Sequence, residues 1–339
     1  MVLQEQIAVI GAGSWGTALT KLVSDKGVRV RLWGHRAEHV EKIRREKENS
    51  TYLPGVGLNE NVEVVADLEA AVRELNTILM VVPSHVYRLV FEKIVPFLRN
   101  NVTIISAAKG IENESLLTMT QVMAAVLQKN GKEADLAVLS GPSFAREVAR
   151  HIPTAVTVAA HDKEVVRQIQ QIFSTERFRV YGSRDVIGLE LGGALKNIIA
   201  IGAGISDGLG FGTNTRAALI TRGLAEITRL GVKMGADPLT FSGLGGLGDL
   251  VLTCTGELSR NRTVGLKLGQ GKKLAVILDE MEMVAEGVKT TKSAWALARK
   301  HKVEMPILEQ VYQVLYKDKS CKDAVHSLLV RDLKEEIYY

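Results

Sequence analysis

The stretch IAVIGAGSWGTALT, residues 7–20, decides the fold of the first half of the chain. It begins as a β-branched run, continues through Gly11, Gly13 and Gly16 in the spacing G-x-G-x-x-G, and ends in a helical pattern of apolar residues. In such a loop the first glycine permits a tight turn, the second lets the backbone approach a pyrophosphate, and the third lets the helix pack on the strand. The glycines therefore predict a dinucleotide site, and the alternative is a purely structural glycine turn.

The residues around this loop indicate which dinucleotide binds. The helix would begin near Ser14 and Trp15, where its N–H groups and the positive end of its dipole face the phosphates. NAD-specific sites carry an Asp or Glu about 20 residues beyond the glycines, on the ribose hydroxyls, whereas an Arg accommodates a 2′-phosphate. Here the second strand ends in Gly34, His35 and Arg36, without a carboxylate. We therefore expect NADP(H), NAD(H) or both, and the alternative for Arg36 is a solvated surface residue.

The first half of the chain alternates between strand and helix patterns. Buried-strand candidates are VRVRLW, TILMVVP, VTIISAAKG and LAVLSGP, and helical stretches follow them. TAVTVAA and FRVYGS are candidates for two more strands. This alternation is typical of parallel βαβ units, in which ligands bind outside the carboxyl ends of the strands. We predict an α/β fold with a doubly wound Rossmann-type domain over residues 1–183.

After residue 183 the pattern becomes helical. DVIGLELGGALKNIIAIGAGIS is long, apolar and rich in glycine, and NTRAALITRGLAEITRLGVKMG has small and apolar residues at helical spacing. Further helices are expected near 260–270, 288–301, 306–317 and 321–333. The sequence therefore predicts a C-terminal all-helical domain over residues 184–339 that packs on the first and encloses the site with it. A length of 339 residues also favours two domains.

Composition and charge exclude several classes of protein. The net charge of +5 is too small and too dispersed for nucleic-acid binding. Cys254 and Cys321 lie far apart, so neither a disulfide framework nor metal-ligand spacing is expected, and a reducing cytoplasm is the simplest compartment. The N-terminus lacks the pattern of a signal peptide. The longest apolar stretches fall far below the length of a membrane span, so no membrane insertion is expected.

Polar residues at the ends of two predicted strands indicate ligand contacts. Lys109 in SAAKGIE would lie at the carboxyl edge of the sheet, in reach of a phosphate or carbonyl, or on the surface. Gly141 and Ser143 in VLSGPSF form a turn into a helix, where N–H groups can bind an anion.

Lys196 and Asn197 interrupt an otherwise apolar helix in GGALKNIIAIGAG. A lysine buried there would have a lowered pKa and would be usable as a general acid, with Asn197 orienting it or the substrate. The alternative is a lysine that snorkels to the surface.

A last group of polar residues lies in the helical half. Asp249 follows the glycine-rich apolar segment GLGGLG. Ser259, Arg260 and Asn261 are expected to open a helix and to form a phosphate site with its N-terminus. The alternative is an N-cap at Ser259 and a surface charge at Arg260.

Taken together, these motifs resemble those of the bacterial NAD(P)-dependent glycerol-3-phosphate dehydrogenases. The resemblance covers almost the whole chain and rests on GAGSWGTAL, LWGH, VVPSH, AKG, SGPSFA, GGALKNIIAIGAGISDGLGFGTNTRAALITRGLAE, GLGDLVLTCT, SRN and EMPI. It implies reversible hydride transfer between NAD(P)H and dihydroxyacetone phosphate, which gives sn-glycerol 3-phosphate for phospholipid synthesis. It also implies that Lys196 is the proton donor and acceptor, with Lys109 as the second active-site lysine.

The same resemblance assigns the remaining contacts. Substrate contacts fall on Lys109, Gly141, Ser143, Lys196, Asp249, Ser259, Arg260 and Asn261. Cofactor contacts fall on the loop glycines and on Ser14, Trp15, His35, Arg36, Lys109, Ala145, Arg260, Val284 and Glu286. The resemblance further implies a cytoplasmic homodimer, and the chemistry needs no metal.

Two other functions fit parts of the pattern. One is another dehydrogenase of the β-hydroxyacid type with a helical second domain, which only its substrate would distinguish. The other is an NADP(H)-binding sensor without catalysis, which would need the glycine loop but not Lys109, Lys196 and Asp249.

Overall fold

The computed structural model describes residues 6–281, 285–333, 335 and 336. Its N-terminal region is built on one eight-stranded sheet. The strands are β1 (Gln6–Ile10), β2 (Arg29–Trp33), β3 (Val62–Val65), β4 (Thr77–Met80), β5 (Val102–Ser106), β6 (Ala134–Ser140), β7 (Thr154–Ala160) and β8 (Phe178–Ser183). Their order across the sheet is β3-β2-β1-β4-β5-β6-β7-β8. The first six positions have the order of the dinucleotide-binding Rossmann fold.

The sheet changes direction after β6. Strands β1 to β6 are parallel, β7 pairs antiparallel with β6, and β8 is parallel to β7. The link between β6 and β7 contains only the five-residue helix Ala145–Ala149. At about 1.5 Å per residue this helix is too short to carry the chain back to the amino ends of the parallel strands. Strand β7 therefore starts near the carboxyl end of β6 and runs back beside it. The two added strands are thus present, but outside the parallel pattern.

Helices cover both faces of the sheet. They are α1 (Ser14–Ser24), α2 (Ala37–Glu46), α3 (Leu68–Val72), α4 (Tyr87–Ile94), α5 (Met119–Lys129), α6 (Ala145–Ala149) and α7 (Lys163–Phe173). Ile7 and Val9 of β1 face the core under α1, α2 and α7, whereas Ala8 and Ile10 face the core under α3, α4 and α5. Both faces of β1 are therefore buried, which explains why this strand is apolar throughout rather than alternating.

The C-terminal region is helical. It contains α8 (Val186–Gly208), α9 (Thr213–Lys233), α10 (Asp249–Thr255), α11 (Arg260–Gly269), α12 (Leu274–Asp279), α13 (Glu286–Lys300), α14 (Pro306–Tyr316) and α15 (Cys321–Leu329). A 3₁₀ turn spans Pro238–Ser242, and a π-helical turn, Leu244–Gly248, leads into α10. The predicted fold class, a Rossmann-type sheet followed by helices, is confirmed.

Helix α8 is the centre of the helical region. Its 23 residues are long and apolar enough to cross a membrane by length and composition, so the expectation that every apolar stretch is too short was wrong. Within the protein, 89% of its most apolar window is buried, as in a core helix. Side chains of α9, α11, α13 and α14 pack around it, for example Leu230, Val264, Leu297 and Leu308.

Candidate active site

The glycine loop connects β1 to α1 at the carboxyl edge of the sheet. Gly11 has a φ of +127°, and a Cβ there would lie 2.8 Å from the carbonyl oxygen of Val81. A Cβ on Gly16 would collide with the carbonyl group of Gly11, so only glycine lets α1 approach this closely. A Cβ on Gly13 would meet no atom within 4 Å among the described residues. The open space beside Gly13, at the N-terminus of α1, fits the pyrophosphate of a dinucleotide.

Arg36 and His35 lie at the second corner of this site. Both are exposed, and Arg36 directly precedes α2. The Arg36 guanidinium donates a hydrogen bond to the Tyr52 hydroxyl at 2.7 Å, and Ser14 Oγ donates one to the Tyr52 carbonyl oxygen at 2.6 Å. Sequence reasoning missed Tyr52, because its loop between α2 and β3 has no periodicity. The only signal there was a polar and aromatic cluster, NSTYLPG.

A lysine–carboxylate cluster lies where the two regions meet. Asp249 is fully buried at the start of α10. One of its oxygens accepts a hydrogen bond from Lys196 Nζ at 2.6 Å, and the other accepts one from Lys109 Nζ, also at 2.6 Å. Lys196 Nζ donates a second hydrogen bond to Thr253 Oγ1 at 2.5 Å. Two ammonium groups on one carboxylate leave a net positive charge, which attracts an anionic substrate.

The environment of Lys196 makes it a usable proton donor. Burial lowers the pKa of its ammonium to about 8, although the adjacent Asp249 carboxylate opposes the shift. Of the three donors that a lysine ammonium has, Asp249 and Thr253 take two among the described residues. The third can therefore point to a substrate oxygen. The alternative of a snorkelling lysine does not apply, because only 6% of Lys196 is exposed.

Thr253 was also missed by sequence reasoning. It lies one turn after Asp249 on α10, and its hydroxyl donates to the Asp249 carbonyl oxygen at 2.7 Å while it accepts from Lys196. The available signal was the i, i+4 spacing in DLVLT, which places both side chains on one helix face.

The loops after β5 and β6 complete one wall of this cluster. Lys109 Nζ donates a second hydrogen bond to the carbonyl oxygen of Gly141 at 3.0 Å, and Ser143 Oγ donates to the same oxygen at 3.0 Å. Gly141 has a φ of +142°, and a Cβ there would lie 2.9 Å from Val156, so the turn requires glycine. Ala145 is the first residue of α6 beyond this turn.

The segment Ser259–Asn261 opens α11, as expected. Ser259 is buried and is the N-cap, since its Oγ accepts a hydrogen bond from the Arg262 N–H at 3.2 Å. Arg260 is exposed, with the Glu286 carboxylate close enough to act on its charge. Asn261 Oδ1 accepts from the Gly287 N–H at 2.9 Å. The positions of Ser259 and Arg260 are therefore compatible with a phosphate site and also with the alternative, an N-cap and a surface charge.

Glu286 begins α13 and reaches the sheet region. Its carboxylate accepts a hydrogen bond from Ser84 Oγ, in the turn after β4, at 2.5 Å. Val284 lies outside the described residues. Asn197 is buried beside Lys196, and its carbonyl oxygen approaches Gly287 so closely that a Cβ there would lie 2.8 Å away.

Within the described residues, no three or more His, Cys, Asp or Glu side chains are grouped so that they could hold a metal ion. Cys254 is fully buried beside Lys196, and burial raises the pKa of its thiol to about 12. It is therefore unsuited to act as a nucleophile.

Comparisons with known proteins agree with this geometry. Residues 6–166 match the family model for the NAD-dependent glycerol-3-phosphate dehydrogenase N-terminus, and residues 185–326 match the model for its C-terminus. A glycerol-3-phosphate dehydrogenase (NAD(P)+) from Citrifermentans bemidjiense is 58% identical over 98% of this chain and 99% of its own length. Another, from Geobacter sulfurreducens, is 57% identical with the same coverage.

A solved structure has the same fold. The crystal structure of glycerol-3-phosphate dehydrogenase from Coxiella burnetii superposes with a TM-score of 0.93 at 42% identity, covering 97% of this chain and 99% of its own. With nearly full-length matches at more than half identity, the chain belongs to the family of NAD-dependent glycerol-3-phosphate dehydrogenases.

Proposed function

We propose that this protein catalyses the reversible reduction of dihydroxyacetone phosphate to sn-glycerol 3-phosphate with NADPH or NADH, and that it supplies glycerophospholipid synthesis. The observation that carries the proposal is the buried cluster in which Asp249 holds Lys196 and Lys109. It lies at the carboxyl edge of a Rossmann-type sheet, close to a glycine loop that fits a dinucleotide. The relatives named above carry this activity in their names.

Lys196 is the proton donor in this proposal. When bound, the reduced nicotinamide supplies a hydride to C2 of the substrate, and negative charge then develops on the carbonyl oxygen. The third N–H of Lys196 stabilises that charge and transfers its proton to the oxygen. In the reverse direction the neutral amine accepts the proton from the C2 hydroxyl. Asp249 and Thr253 hold the nitrogen in place in both directions.

The other residues bind the two reactants. Lys109, Gly141, Ser143 and Asp249 contact the substrate beside Lys196, while Arg260 and Asn261 bind its phosphate at the N-terminus of α11, which Ser259 caps. This remote anchor positions C2. The proposed cofactor contacts are the loop glycines, Ser14, Trp15, His35, Arg36, Lys109, Ala145, Arg260, Val284 and Glu286.

We also propose how the chain is divided into domains and how the protein assembles. A boundary after Ser183 divides a cofactor domain, residues 1–183, from a catalytic domain, residues 184–339, because the last strand ends there. A cytoplasmic homodimer is proposed, with exposed apolar side chains such as Leu239 and Val276 in the helical region available for the interface. The mass measured by light scattering tests the dimer.

The deciding experiment follows NADPH and NADH absorbance with the purified protein. Dihydroxyacetone phosphate should be reduced with either cofactor, whereas a panel of 2-keto acids should not. Turnover of a keto acid but not of the phosphate ketone would instead favour a β-hydroxyacid-type dehydrogenase. Cofactor binding without turnover of any ketone would favour a sensor.

A further inference from the structure

The loop of residues 49–57, between α2 and β3, forms an additional wall of the cofactor site. Asn49 is fully buried, and its Nδ2 donates hydrogen bonds to the Ala12 carbonyl oxygen at 3.0 Å and to Thr17 Oγ1 at 2.7 Å. Leu53 is buried in a small apolar cluster against α1. The loop is therefore fastened to the glycine loop and to the first turns of α1, although it lacks regular structure of its own.

Tyr52 is fixed within this loop at several points. Its carbonyl oxygen accepts the hydrogen bond from Ser14 Oγ at 2.6 Å. Its half-buried ring packs edge-to-face on His39, with ring centroids 5.1 Å apart and an interplanar angle of 71°. Its hydroxyl accepts the hydrogen bond from Arg36 Nη2 at 2.7 Å. The ring and backbone are thus anchored independently of the bond to Arg36.

The hydrogen bond from Arg36 to the Tyr52 hydroxyl determines where the exposed Arg36 guanidinium lies. An arginine free in solvent samples many rotamers, and ordering it costs conformational entropy. The anchored Tyr52 hydroxyl restricts Arg36 at the corner where the second strand ends. A guanidinium has further N–H donors for a forked bond to phosphate.

The surrounding charges favour an anion. Burial lowers the pKa of the His39 imidazole, and the positive charges of Arg36 and Lys42 lower it further. Lys42 itself is directed towards the loop, 3.4 Å from Thr51 Oγ1.

We propose that Tyr52 is a positioning residue that sets the preference for NADP(H) over NAD(H), because it holds Arg36 where the 2′-phosphate binds. This inference rests on the proposed cofactor role of Arg36. It predicts that the Tyr52 hydroxyl contributes to NADPH binding and little to NADH binding, since NADH presents only a ribose hydroxyl at this corner.

The test compares dissociation constants for NADPH and NADH, by fluorescence titration of the full-length protein at fixed ionic strength. Tyr52→Phe keeps the ring and the carbonyl oxygen, so the fold and the contact with Ser14 should persist. It should weaken NADPH binding by about 3- to 10-fold, the effect of one hydrogen bond, and change NADH binding less than about twofold. The KM for NADPH should rise with little change in kcat.

Tyr181→Phe is the matched control. Tyr181 is also a tyrosine beside an arginine, since Arg179 lies over its ring at 5.3 Å, but it is on β8, at the opposite edge of the sheet from β2 and β3. This variant should leave both constants unchanged.

Arg36→Ala, alone and combined with Tyr52→Phe, separates the inference from the cofactor assignment on which it rests. Arg36→Ala should weaken NADPH selectively, and the double variant should bind NADPH no more weakly than Arg36→Ala alone. An unchanged NADPH-to-NADH ratio in Arg36→Ala would refute the cofactor role of Arg36. A selective loss in Arg36→Ala but an equal loss of both cofactors, or none, in Tyr52→Phe would refute only the role of Tyr52.

Discussion

At Lys196, burial and a neighbouring carboxylate act in opposite directions on one ammonium group. Burial is the larger effect and lowers the pKa to about 8, while Asp249 limits the shift and Lys109 adds to it. A proton donor with a pKa near the working pH is present in both protonation states in useful amounts. The same group can therefore serve both directions of the reaction.

The two directions should depend on pH with opposite signs. Reduction of the ketone needs protonated Lys196, so its kcat should fall as the pH rises through about 8. Oxidation of sn-glycerol 3-phosphate needs the neutral amine, so its kcat should rise through the same range. The measurement is kcat in each direction from pH 6 to 10 at saturating substrates. Parallel profiles in the two directions would contradict the assignment.

The variant Lys196→Ala provides the corresponding test by substitution. Turnover should fall by about 10²- to 10⁴-fold, the usual contribution of a general acid, while NADPH affinity should stay within about twofold. The residual rate should no longer depend on pH around 8. Lys163→Ala, at an exposed lysine on α7, is the control for a general charge effect.

The sequence predicted individual residues of the candidate site better than it predicted which residues contact each other there. Lys196 and Asp249 were recognisable because charged groups in apolar segments are costly without a partner. The residues that contact these groups, Thr253 beside Lys196 and Tyr52 beside Arg36, were not. Thr253 is an ordinary helix residue until its helix face is known, and Tyr52 lies in a loop without periodicity.

Among the elements, α8 and α11 pack with their backbones in close contact. A Cβ on Gly204 of α8 would collide with the Arg262 carbonyl group, and a Cβ on Gly265 of α11 would collide with that of Ile201. The two backbones are thus in direct contact, which brings the N-terminus of α11 beside the helix that carries Lys196. The glycine-rich sequence of α8 is readable in the chain, but which helix its glycines contact is not.

Gly204→Ala should therefore destabilise the protein. Alanine gains about 1 kcal/mol in helix propensity, but the added methyl must force two backbones apart, which typically costs about 1–3 kcal/mol and here meets rigid carbonyl groups. Gly202→Ala on the same helix is the control, because its Cβ would have only side-chain neighbours at 3.6 Å or more. Denaturant unfolding should show a loss for the first variant and no loss for the second. Equal stability of the two variants would refute the packing argument.

The positions of helices could be predicted from the local sequence more reliably than the directions of strands could. The N-cap Ser259 and the long helix α8 were readable in the sequence, although α8 was not recognised as long enough to span a membrane. The antiparallel direction of β7 was not, because it depends on the short length of α6, a helix with little sequence signal. The π-helical turn before α10 also has little sequence signal, so in the sequence it could not be distinguished from any other glycine-rich turn.

In the whole molecule, polar contacts bind the sheet region to the helical region around the site. Lys109 reaches Asp249, and Ser84 reaches Glu286. The buried Glu190 on α8 accepts hydrogen bonds from both the N–H and the hydroxyl of Thr120 at the start of α5. No pattern within a short window of sequence predicts such contacts, because each joins residues that are far apart along the chain.

The pH dependence of the free energy of unfolding should reflect another buried carboxyl group, Glu226. Glu226 on α9 accepts hydrogen bonds from the N–H groups of Ile307 and Leu308 at the start of α14. These bonds favour the charged form, but burial outweighs them and raises the pKa of Glu226 from 4.5 to about 7. The folded protein therefore holds this proton in a range where the unfolded chain has already lost it.

The sign of the pH dependence follows from that difference. The stabilisation from Glu226 is fully present below pH 4.5, is lost as the pH rises to about 7, and stays constant above it. The loss is on the order of 3 kcal/mol. In Glu226→Gln, which resembles the protonated acid, this loss should be absent. The variant should therefore gain unfolding free energy relative to the native protein between pH 5 and 8, as measured by urea unfolding. Glu176→Gln, at an exposed position before β8, is the control for replacing a carboxylate with an amide. If the offset of Glu226→Gln were independent of pH, Glu226 would be ionised in the folded protein between pH 5 and 8, and its hydrogen bonds to α14 would offset its burial.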